Sequence, residues 1–330
     1  MKMAVDENGG QVLADNAKKG GHYFCPVCDS RVTLKKGPVK TAHFSHHHII
    51  DCMRYLYKRE SVAHLELKHD LYLALTPFHH AAMEYYLPEI EQIADLLINE
   101  NLALEIQLST ISPQLILDRT GGYASIGIDV IWLLDHASLR TEGEYILPTH
   151  FQLACQKAGK IYTIDFRTKN VYLHHIRHHA GGGRFYFKKE MISAKSLPDH
   201  VPTAHIGARK LSAFELKRII SRERSRRTVQ NLTLTFLYQM QLTVETLPEY
   251  LKYTTPAERL IMNPPLEWKL FIHYHLEWGT FNMTLFMEML KPRLIHGAPS
   301  KGVLAKRLIK EYIMLYNSHK HSELEISHDN

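Results

Sequence analysis

The fold is decided by residues 93–109, which read IADLLINENLALEIQLS. The first half of this stretch is apolar around a single acid, Asp95. The second half alternates, so that Glu105 and Gln107 share one face of an extended chain and apolar residues take the other. The Asn-Glu-Asn at 99–101 is typical of a hairpin turn. The stretch therefore predicts two adjacent antiparallel strands, each with an acid inside apolar sequence.

Alternating helical and extended patterns continue on both sides of this hairpin. Leucines at helical spacing predict a helix over residues 55–75, and an aromatic, apolar run predicts a short strand over residues 83–87. Downstream, residues 111–120 favour a helix, and the near-continuous apolar run at 126–134 is typical of a strand buried on both faces. The resulting order, α-β-β-β-α-β, indicates an α/β or α+β core.

The 330-residue chain is long enough for two or three domains. Its formal charge of +6 and its pI of about 8.9 indicate an acidic partner without requiring one. The three cysteines among the first 52 residues do not form the pattern of a secreted disulfide scaffold. The sequence shows no signal-peptide-like start and no apolar run of roughly 18 residues, so we expect a cytoplasmic protein.

Close pairs of cysteine and histidine near the N-terminus have metal-ligand spacing. Cys25 and Cys28 flank a Pro-Val pair, so two thiolates can reach one ion from a tight turn. His43 follows fifteen residues after Cys28 and forms a second close pair with His46. Cys52 is a further candidate, which leaves the fourth ligand as either His46 or Cys52. Four protein ligands complete a zinc tetrahedron, so the expected ion is structural and folds a unit with little core.

Asp95 and Glu105 predict a second kind of metal site. Two carboxylates that converge from neighbouring strands repel each other unless a cation lies between them. Hard oxygen ligands of this kind suit Mg²⁺ or Mn²⁺, which lowers the pKa of a bound water and neutralises charge on a phosphate. Gln107, on the face of Glu105, could orient that water. The alternative is that both acids lie on a solvated edge, which their apolar neighbours disfavour.

The preceding helix carries polar residues on one face. Glu60, His64 and Lys68 are spaced i, i+4 and i+8. Glu60 could accept a proton or bind the ion through water, and His64 and Lys68 could meet a phosphate. By spacing alone, a solvated face with an ordinary Glu-to-Lys ladder is the favoured interpretation.

These motifs together resemble the competence protein CoiA family of Gram-positive bacteria. The resemblance covers roughly residues 20–135 and rests on motifs that occur in the family's order. The motifs are Cys25-Pro26-Val27-Cys28, His43-Phe44-Ser45-His46, Glu60-Ser61 with His64, Ile93-Ala94-Asp95, Glu105-Ile106-Gln107-Leu108-Ser109 and Trp132-Leu133-Leu134.

The resemblance implies a nuclease core of the restriction-endonuclease class, known by the pattern PD-(D/E)xK. It implies that Asp95 and Glu105 bind Mg²⁺ or Mn²⁺, and that Glu60 matches the acid of the first helix. Gln107 takes the position of the Lys that normally assists the attacking water. Gln carries no charge. Either Lys68 supplies the missing positive charge from the helix, or the core cuts DNA slowly or binds it without cutting.

Three units are expected from these patterns. Residues 1–54 would form a small zinc-binding β-module. Residues 55–200 would form a restriction-endonuclease-like core with a mixed sheet, and residues 201–330 would form a helical, basic C-terminal domain.

The C-terminal unit contains a dense basic run on a predicted helix. Such a helix would offer a phosphate-binding surface whose affinity for DNA falls steeply with salt. The alternative is a solvated helix face opposite a packed one, and both can hold together. The candidate DNA-binding residues are Lys217, Arg218, Arg222, Arg224, Arg226 and Arg227.

Three functions compete at this stage. The first is a Mg²⁺-dependent phosphodiesterase that acts on incoming or branched DNA during recombination. The second is a non-catalytic DNA-binding or assembly factor for transformation that keeps the nuclease fold. The third, an interaction scaffold held by zinc, leaves the paired acids and the basic helix unexplained. The expected partners are single-stranded or branched DNA, a recombinase and other competence proteins, and membrane-associated uptake machinery.

Overall fold

The computed structural model describes residues 1–38, 41–48, 52, 61–199, 206–226 and 230–326, with side chains up to residue 319. Within these residues the chain forms a small N-terminal sheet, a large mixed sheet flanked by helices, and a C-terminal group of helices. No described helix is long and apolar enough to cross a membrane.

The N-terminal residues form a small antiparallel sheet. In the part of the chain that the structure describes, its strands are β1 (Met3–Asp6), β2 (Gln11–Leu13), β3 (Tyr23–Phe24), β4 (Arg31–Lys35) and β5 (His43–His46). They lie in the spatial order β2-β1-β3-β4-β5. Ala4, Val32 and Phe44 share a small core with Cys25 and Cys52. A core of this size usually needs a disulfide or a metal for independent stability. We call this sheet and its loops the N-terminal module.

A mixed sheet forms the centre of the protein. Its strands, among the described residues, are β6 (Ala81–Leu87), β7 (Gln92–Ile98), β8 (Leu102–Gln107), β9 (Asp129–Asp135), β10 (Thr141–Glu142), β11 (Tyr145–Ile146), β12 (Lys160–Ile164), β13 (Val171–His179) and β14 (Phe185–Ile192). Their spatial order is β10-β11-β14-β13-β12-β9-β8-β7-β6. β9 runs parallel to β8 and β12, whereas the other described pairs in this sheet are antiparallel. The expected mixed sheet is therefore present.

The hairpin between β7 and β8 forms where the sequence predicts it. Asn99 and Glu100 both have a positive φ, 48° and 60°, as the two central residues of a type I′ turn do. This turn matches the right-handed twist of the strands that it joins. Leu96 pairs with Leu104 close to the middle of the hairpin.

Helices cover both faces of the central sheet. Helix α1 (Val62–Leu75) packs Leu67 and Leu71 against one face. Helices α2 (Pro113–Ser125) and α3 (His150–Ala154) cover the other face. Burial on both faces explains the near-continuous apolar sequence of β9.

The C-terminal residues form helices around a separate core. Within the described residues these are α4 (Ala213–Ser225), α5 (Leu232–Gln239), α6 (Glu267–Glu277), α7 (Met283–Met289) and α8 (Lys301–Ile326), with a two-stranded ladder of β15 (Arg209–Lys210) and β16 (Tyr253–Thr254). Trp268, Phe286 and Leu304 are buried in this core. It meets the central sheet at the end of β13, where the Thr254 hydroxyl donates to the carbonyl of His179.

Candidate functional site

Cys25 and Cys28 lie on a tight turn between β3 and β4. The Cys25 N–H donates to the carbonyl of Ser30, and the Asp29 N–H donates to the carbonyl of Cys25, both at 2.9 Å. Asp29 closes the turn with a positive φ of 55°. The Val27 N–H lies 3.4 Å from the Cys25 sulfur. The backbone thus holds this segment in a compact turn that carries both sulfurs.

Four possible ligand atoms converge beside this turn. The sulfurs of Cys25, Cys28 and Cys52 and a ring nitrogen of His46 all lie within 4.8 Å of one another. Cys25 Sγ is 3.9 Å from Cys52 Sγ, and Cys28 Sγ is 3.5 Å from His46 Nε2. Zinc bonds of about 2.3 Å to sulfur and about 2.0 Å to nitrogen place tetrahedral ligands roughly 3.5–3.8 Å apart, so the donor set fits structural zinc. Burial opposes ionisation of Cys28, but hydrogen bonds with Ser30 outweigh it and lower the pKa of this thiol.

The cluster differs from the predicted ligand set at His43. Sequence spacing made His43 a ligand and left His46 and Cys52 as alternatives, whereas the structure brings both His46 and Cys52 into the cluster. His43 Nδ1 instead lies 2.9 Å from the carbonyl of Thr41. The reason is that both histidines belong to strand β5, where residues three positions apart point to opposite faces. Interpretation of this tetrapeptide as a strand would have shown that only one of the two histidines can join Cys25 and Cys28, which makes Cys52 the remaining ligand.

Asp95 is buried beneath α1 and is surrounded by donors. Its Oδ1 lies 2.9 Å from the ammonium of Lys68, and its Oδ2 lies 3.1 Å from His64 Nε2 and 2.9 Å from the Ile106 N–H. Burial opposes ionisation of Asp95, but Lys68 and then His64 outweigh it and hold the pKa of this carboxyl well below its usual value. Lys68 is only 1% exposed, so it lies in the interior rather than on the solvated face that spacing alone favours.

Glu84, which sequence reasoning missed, lies on the other side of Lys68. Lys68 Nζ is 3.2 Å from Glu84 Oε1, so the ammonium bridges Glu84 and Asp95. The register of β6 against β7 puts Glu84 opposite Asp95. The signal in the sequence is a single acid within the otherwise uncharged strand AAMEYYL.

Glu105 is held by α2. Arg119 Nη2 lies 2.6 Å from Glu105 Oε1, and the Tyr123 hydroxyl donates to the same oxygen. Burial raises the pKa of Glu105, Arg119 opposes this, and the negative charge of Asp95 adds to it. Sequence reasoning missed both partners. Their spacing of four residues, which places them on one side of a helix, is the signal that could have found them.

The two carboxylates are neighbours across the β7–β8 hairpin. The paired part of this hairpin ends at Leu96–Leu104, and Asp95 and Glu105 each lie one residue beyond that pair. They are close enough for the charge of Asp95 to contribute to the raised pKa of Glu105. Asp95 bonds to α1 and Glu105 bonds to α2, so each acid has a basic partner of its own. The pair offers the hard oxygens that Mg²⁺ or Mn²⁺ prefers, and Mg²⁺ commonly uses one or two carboxylates and keeps several waters. The donor types therefore fit such an ion, although within the described side chains no third ligand joins the pair in a compact cluster.

The side chain of Gln107 hydrogen-bonds to the nearby Ser109. Its Nε2 donates to the carbonyl of Ser109 at 2.7 Å and lies 3.3 Å from the Ser109 hydroxyl. The other two predicted residues, Glu60 and Arg227, lie outside the described residues.

Two members of the basic run attach α4 to the central sheet region. Arg222 Nη1 donates to the carbonyl of Gly181 at 3.1 Å. The guanidinium of Arg218 lies 5.6 Å from the centre of the Tyr145 ring. These contacts show that part of the run has a structural role.

The other members face solvent to a greater extent. Lys217 pairs with Glu245 and Arg226 pairs with Glu223, each at 3.2 Å. Arg224 is exposed and makes no ion pair within the described side chains. Surface pairs contribute little to stability, so Lys217 can exchange its partner for a phosphate at small cost.

A groove of about 790 Å³ lies between α4 and α5. Lys217 and Arg224 line it from α4, and Leu234 and Tyr238 line it from α5. Tyr238 is 86% exposed. Basic side chains beside an exposed aromatic ring are the features by which proteins hold single-stranded nucleic acid.

Comparison with known proteins decides the family. Residues 60–198 match the model of the competence protein CoiA nuclease-like domain, and residues 9–54 match the model of the CoiA N-terminal domain. Together these matches cover more than half of the chain. The chain belongs to the CoiA family. The resemblance drawn from the motifs is thereby confirmed.

Competence protein CoiA of Bacillus subtilis (strain 168) is 35% identical over 126 residues, which are 37% of this chain and 34% of that protein. The similarity thus spans about a third of the length of this CoiA relative. No solved structure matches the chain. The CoiA nuclease-like match contains Lys68, Glu84, Asp95 and Glu105, and the CoiA N-terminal match contains the cysteine and histidine cluster.

Proposed function

We propose that this CoiA-family protein is a cytoplasmic, metal-dependent nuclease that processes incoming single-stranded or branched DNA during genetic transformation. The observation that carries the proposal is the buried ammonium of Lys68, 2.9 Å from the carboxylate of Asp95. Lys68 brings from α1 the positive charge that Gln107 does not carry on β8. The match to the CoiA nuclease-like domain and the name of the Bacillus subtilis relative support this setting.

The proposed chemistry is attack of water on the phosphorus of a phosphodiester. Asp95 and Glu105 would hold Mg²⁺ or Mn²⁺, which when bound lowers the pKa of a water and neutralises charge on the phosphate. Arg119 and Tyr123 keep Glu105 in place from α2. Lys68, beside Asp95, stabilises negative charge that develops on the phosphate oxygens.

The test is cleavage of single-stranded, nicked and branched DNA by the purified protein with Mg²⁺ or Mn²⁺. Glu105→Gln and Lys68→Met should each reduce the rate by roughly 10²–10³, as the loss of one electrostatic stabiliser does in other enzymes. Gln107→Ala is the matched control and should keep most of the rate, because its amide bonds Ser109. Cleavage that is unchanged by Glu105→Gln would contradict the proposal.

A second candidate is a DNA-binding or assembly factor that does not cut. Two observations favour it: each acid already has a basic partner, and the groove between α4 and α5 combines Arg224 with the exposed ring of Tyr238. Such a factor would receive single-stranded DNA from the membrane-associated uptake machinery and pass it to a recombinase or to other competence proteins.

This candidate is tested by titration of fluorescent single-stranded DNA. Tyr238→Ala should weaken binding by about 1–3 kcal/mol, the contribution of one stacked base. Arg224→Ala should also weaken binding, and the slope of log K against log salt concentration should fall by about the amount that one phosphate contact contributes. Lys306→Ala, which removes an exposed charge on α8, is the matched control. Equal affinities for Arg224→Ala, Tyr238→Ala and the control would exclude this groove as the DNA site.

A further inference from the structure

Glu84 lies between the N-terminal module and the site formed by Lys68, Asp95 and Glu105, which we call the acidic site. The backbone at Glu84 has a positive φ of 55°, a conformation that residues with side chains rarely adopt. The residue is only 2% exposed, so its carboxylate is in the interior. A buried carboxylate requires compensating donors. Two separate parts of the chain provide them.

The first donors are backbone amides of the N-terminal module. The Lys2 N–H lies 3.1 Å from both carboxylate oxygens of Glu84, and the Met3 N–H lies 3.4 Å from Oε2. The second donor is Lys68 of α1, at 3.2 Å. Lys68 in turn lies 2.9 Å from Asp95. A continuous series of contacts therefore runs from the start of β1 to Asp95 through the carboxylate of Glu84.

We propose that Glu84 is a positioning residue for the acidic site, and that the N-terminal module completes this site by holding Glu84. The expected effect of Glu84 on catalysis rests on the proposed nuclease function. The positioning of Lys68 and Asp95 by Glu84 does not depend on catalysis.

The charges explain why Glu84 matters. Lys68 lies between two carboxylates, so its attraction is divided between Glu84 and Asp95. Without the charge of Glu84, one negative charge fewer surrounds Lys68. The ammonium then draws closer to Asp95 and repels an incoming cation more strongly. Loss of the Glu84 charge should weaken metal binding and leave DNA binding in the groove between α4 and α5 unchanged.

The experiment breaks the series of contacts at two places in the 330-residue chain. Glu84→Gln removes the charge and keeps the shape. Lys2→Pro removes the backbone N–H that lies 3.1 Å from Glu84. Lys2→Ala is the matched control, because it deletes the side chain that pairs with Asp15 but keeps the N–H. Each protein is checked for bound zinc and for its Tm, then titrated with Mn²⁺ alone by calorimetry and assayed for cleavage.

We expect Glu84→Gln and Lys2→Pro to weaken Mn²⁺ binding and to lower kcat by about tenfold or more at unchanged KM for DNA, as expected for loss of one electrostatic contribution. Lys2→Ala should have a lower Tm, because it truncates a buried side chain, but it should keep the parental Mn²⁺ affinity and kcat. Folded, zinc-loaded Glu84→Gln protein with parental Mn²⁺ affinity would overturn the inference.

A further readout needs neither metal nor catalysis. The Ile106 N–H donates to Asp95 at 2.9 Å. If Asp95 shifts in Glu84→Gln and Lys2→Pro, this hydrogen bond weakens and the Ile106 amide hydrogen should exchange with deuterium faster. Unchanged exchange in both folded variants would show that Glu84 does not position Asp95. If the parent protein neither binds Mn²⁺ nor cuts DNA, the nuclease proposal fails, and the exchange of Ile106 still decides the role of Glu84.

Discussion

Replacement of Lys68 by methionine should destabilise the central sheet by about 3–5 kcal/mol. The Lys68 side chain is 1% exposed and lies 3.2 Å from Glu84 and 2.9 Å from Asp95, whose side chains are 0% and 11% exposed. Its removal leaves two buried carboxylates without the ammonium between them. Loss of one partner from a buried pair costs this much because the remaining charge stays desolvated. Exposed pairs contribute only about 0–1 kcal/mol, so the size of the loss distinguishes a buried bridge from a surface contact.

Urea unfolding followed by the fluorescence of Trp132 measures this loss. The chain contains three tryptophans, and Trp132 lies on β9 of the central sheet. A background of Trp268→Phe and Trp278→Phe therefore confines the signal to the sheet that packs against Lys68. The control is the double variant Lys68→Met with Glu84→Gln. Removal of one of the two buried carboxylate charges that the ammonium no longer compensates should recover part of the loss, with a coupling of about 1–3 kcal/mol.

The pH dependence supplies the refuting result. The folded-state pKa of Asp95 lies below its unfolded value, because Lys68 and His64 outweigh the opposing effect of burial. Its ionised form therefore contributes stability above about pH 4, and this contribution is lost as the pH falls toward the folded pKa. The cost of Lys68→Met should shrink in the same range. A loss below about 1 kcal/mol at neutral pH, or one of equal size in strong acid, would refute the buried bridge.

His46→Ala should abolish zinc binding and unfold the N-terminal module, whereas His43→Ala should keep the metal, because only His46 lies in the cluster; zinc analysis of the purified proteins tests this. Burial lowers the pKa of His174 to about 3 and of His178 to about 4. Between these values and about pH 6.5, both imidazoles are therefore neutral in the folded protein but protonated in the unfolded chain. Stability should therefore be complete above about pH 6.5 and fall as the pH drops toward 4, which a series of Tm measurements would show, with a shallower slope for His178→Phe. Tyr123→Phe should cost about 1–3 kcal/mol, because the buried carboxylate that it contacts on β8 loses a donor; an unchanged urea midpoint would contradict that contact.

Local patterns located the elements that carry the acids. The hairpin at residues 93–109 was predicted from alternation and a turn tripeptide, and both signals lie within a few residues of the structure that they form. Helix ends were predicted less well. The helix expected over residues 111–120 runs from Pro113 to Ser125, because its last turn packs Tyr123 against the central sheet. Packing of that kind is not visible in a window of neighbouring residues.

Burial and contacts at the candidate site were predicted in part. Asp95 and Glu105 were singled out because an acid inside an apolar strand is unusual in any context, and the structure places both in the interior. The burial of Lys68 was underestimated, because helical spacing does not show which face of α1 is buried. Glu84 and Arg119 were missed, since each is an ordinary charged residue until the fold brings its partner near.

The sequence by itself determined the family, the two acidic strand residues and the cysteines near the N-terminus, because each of these depends on spacing along the chain. Only the tertiary structure decided which groups meet those residues. It placed His46 rather than His43 beside the three cysteines, and it joined the Lys2 amide to Glu84, 82 residues away. Contacts over such separations depend on strand register and on the docking of the N-terminal module and α1, which arise from the packing of the whole chain.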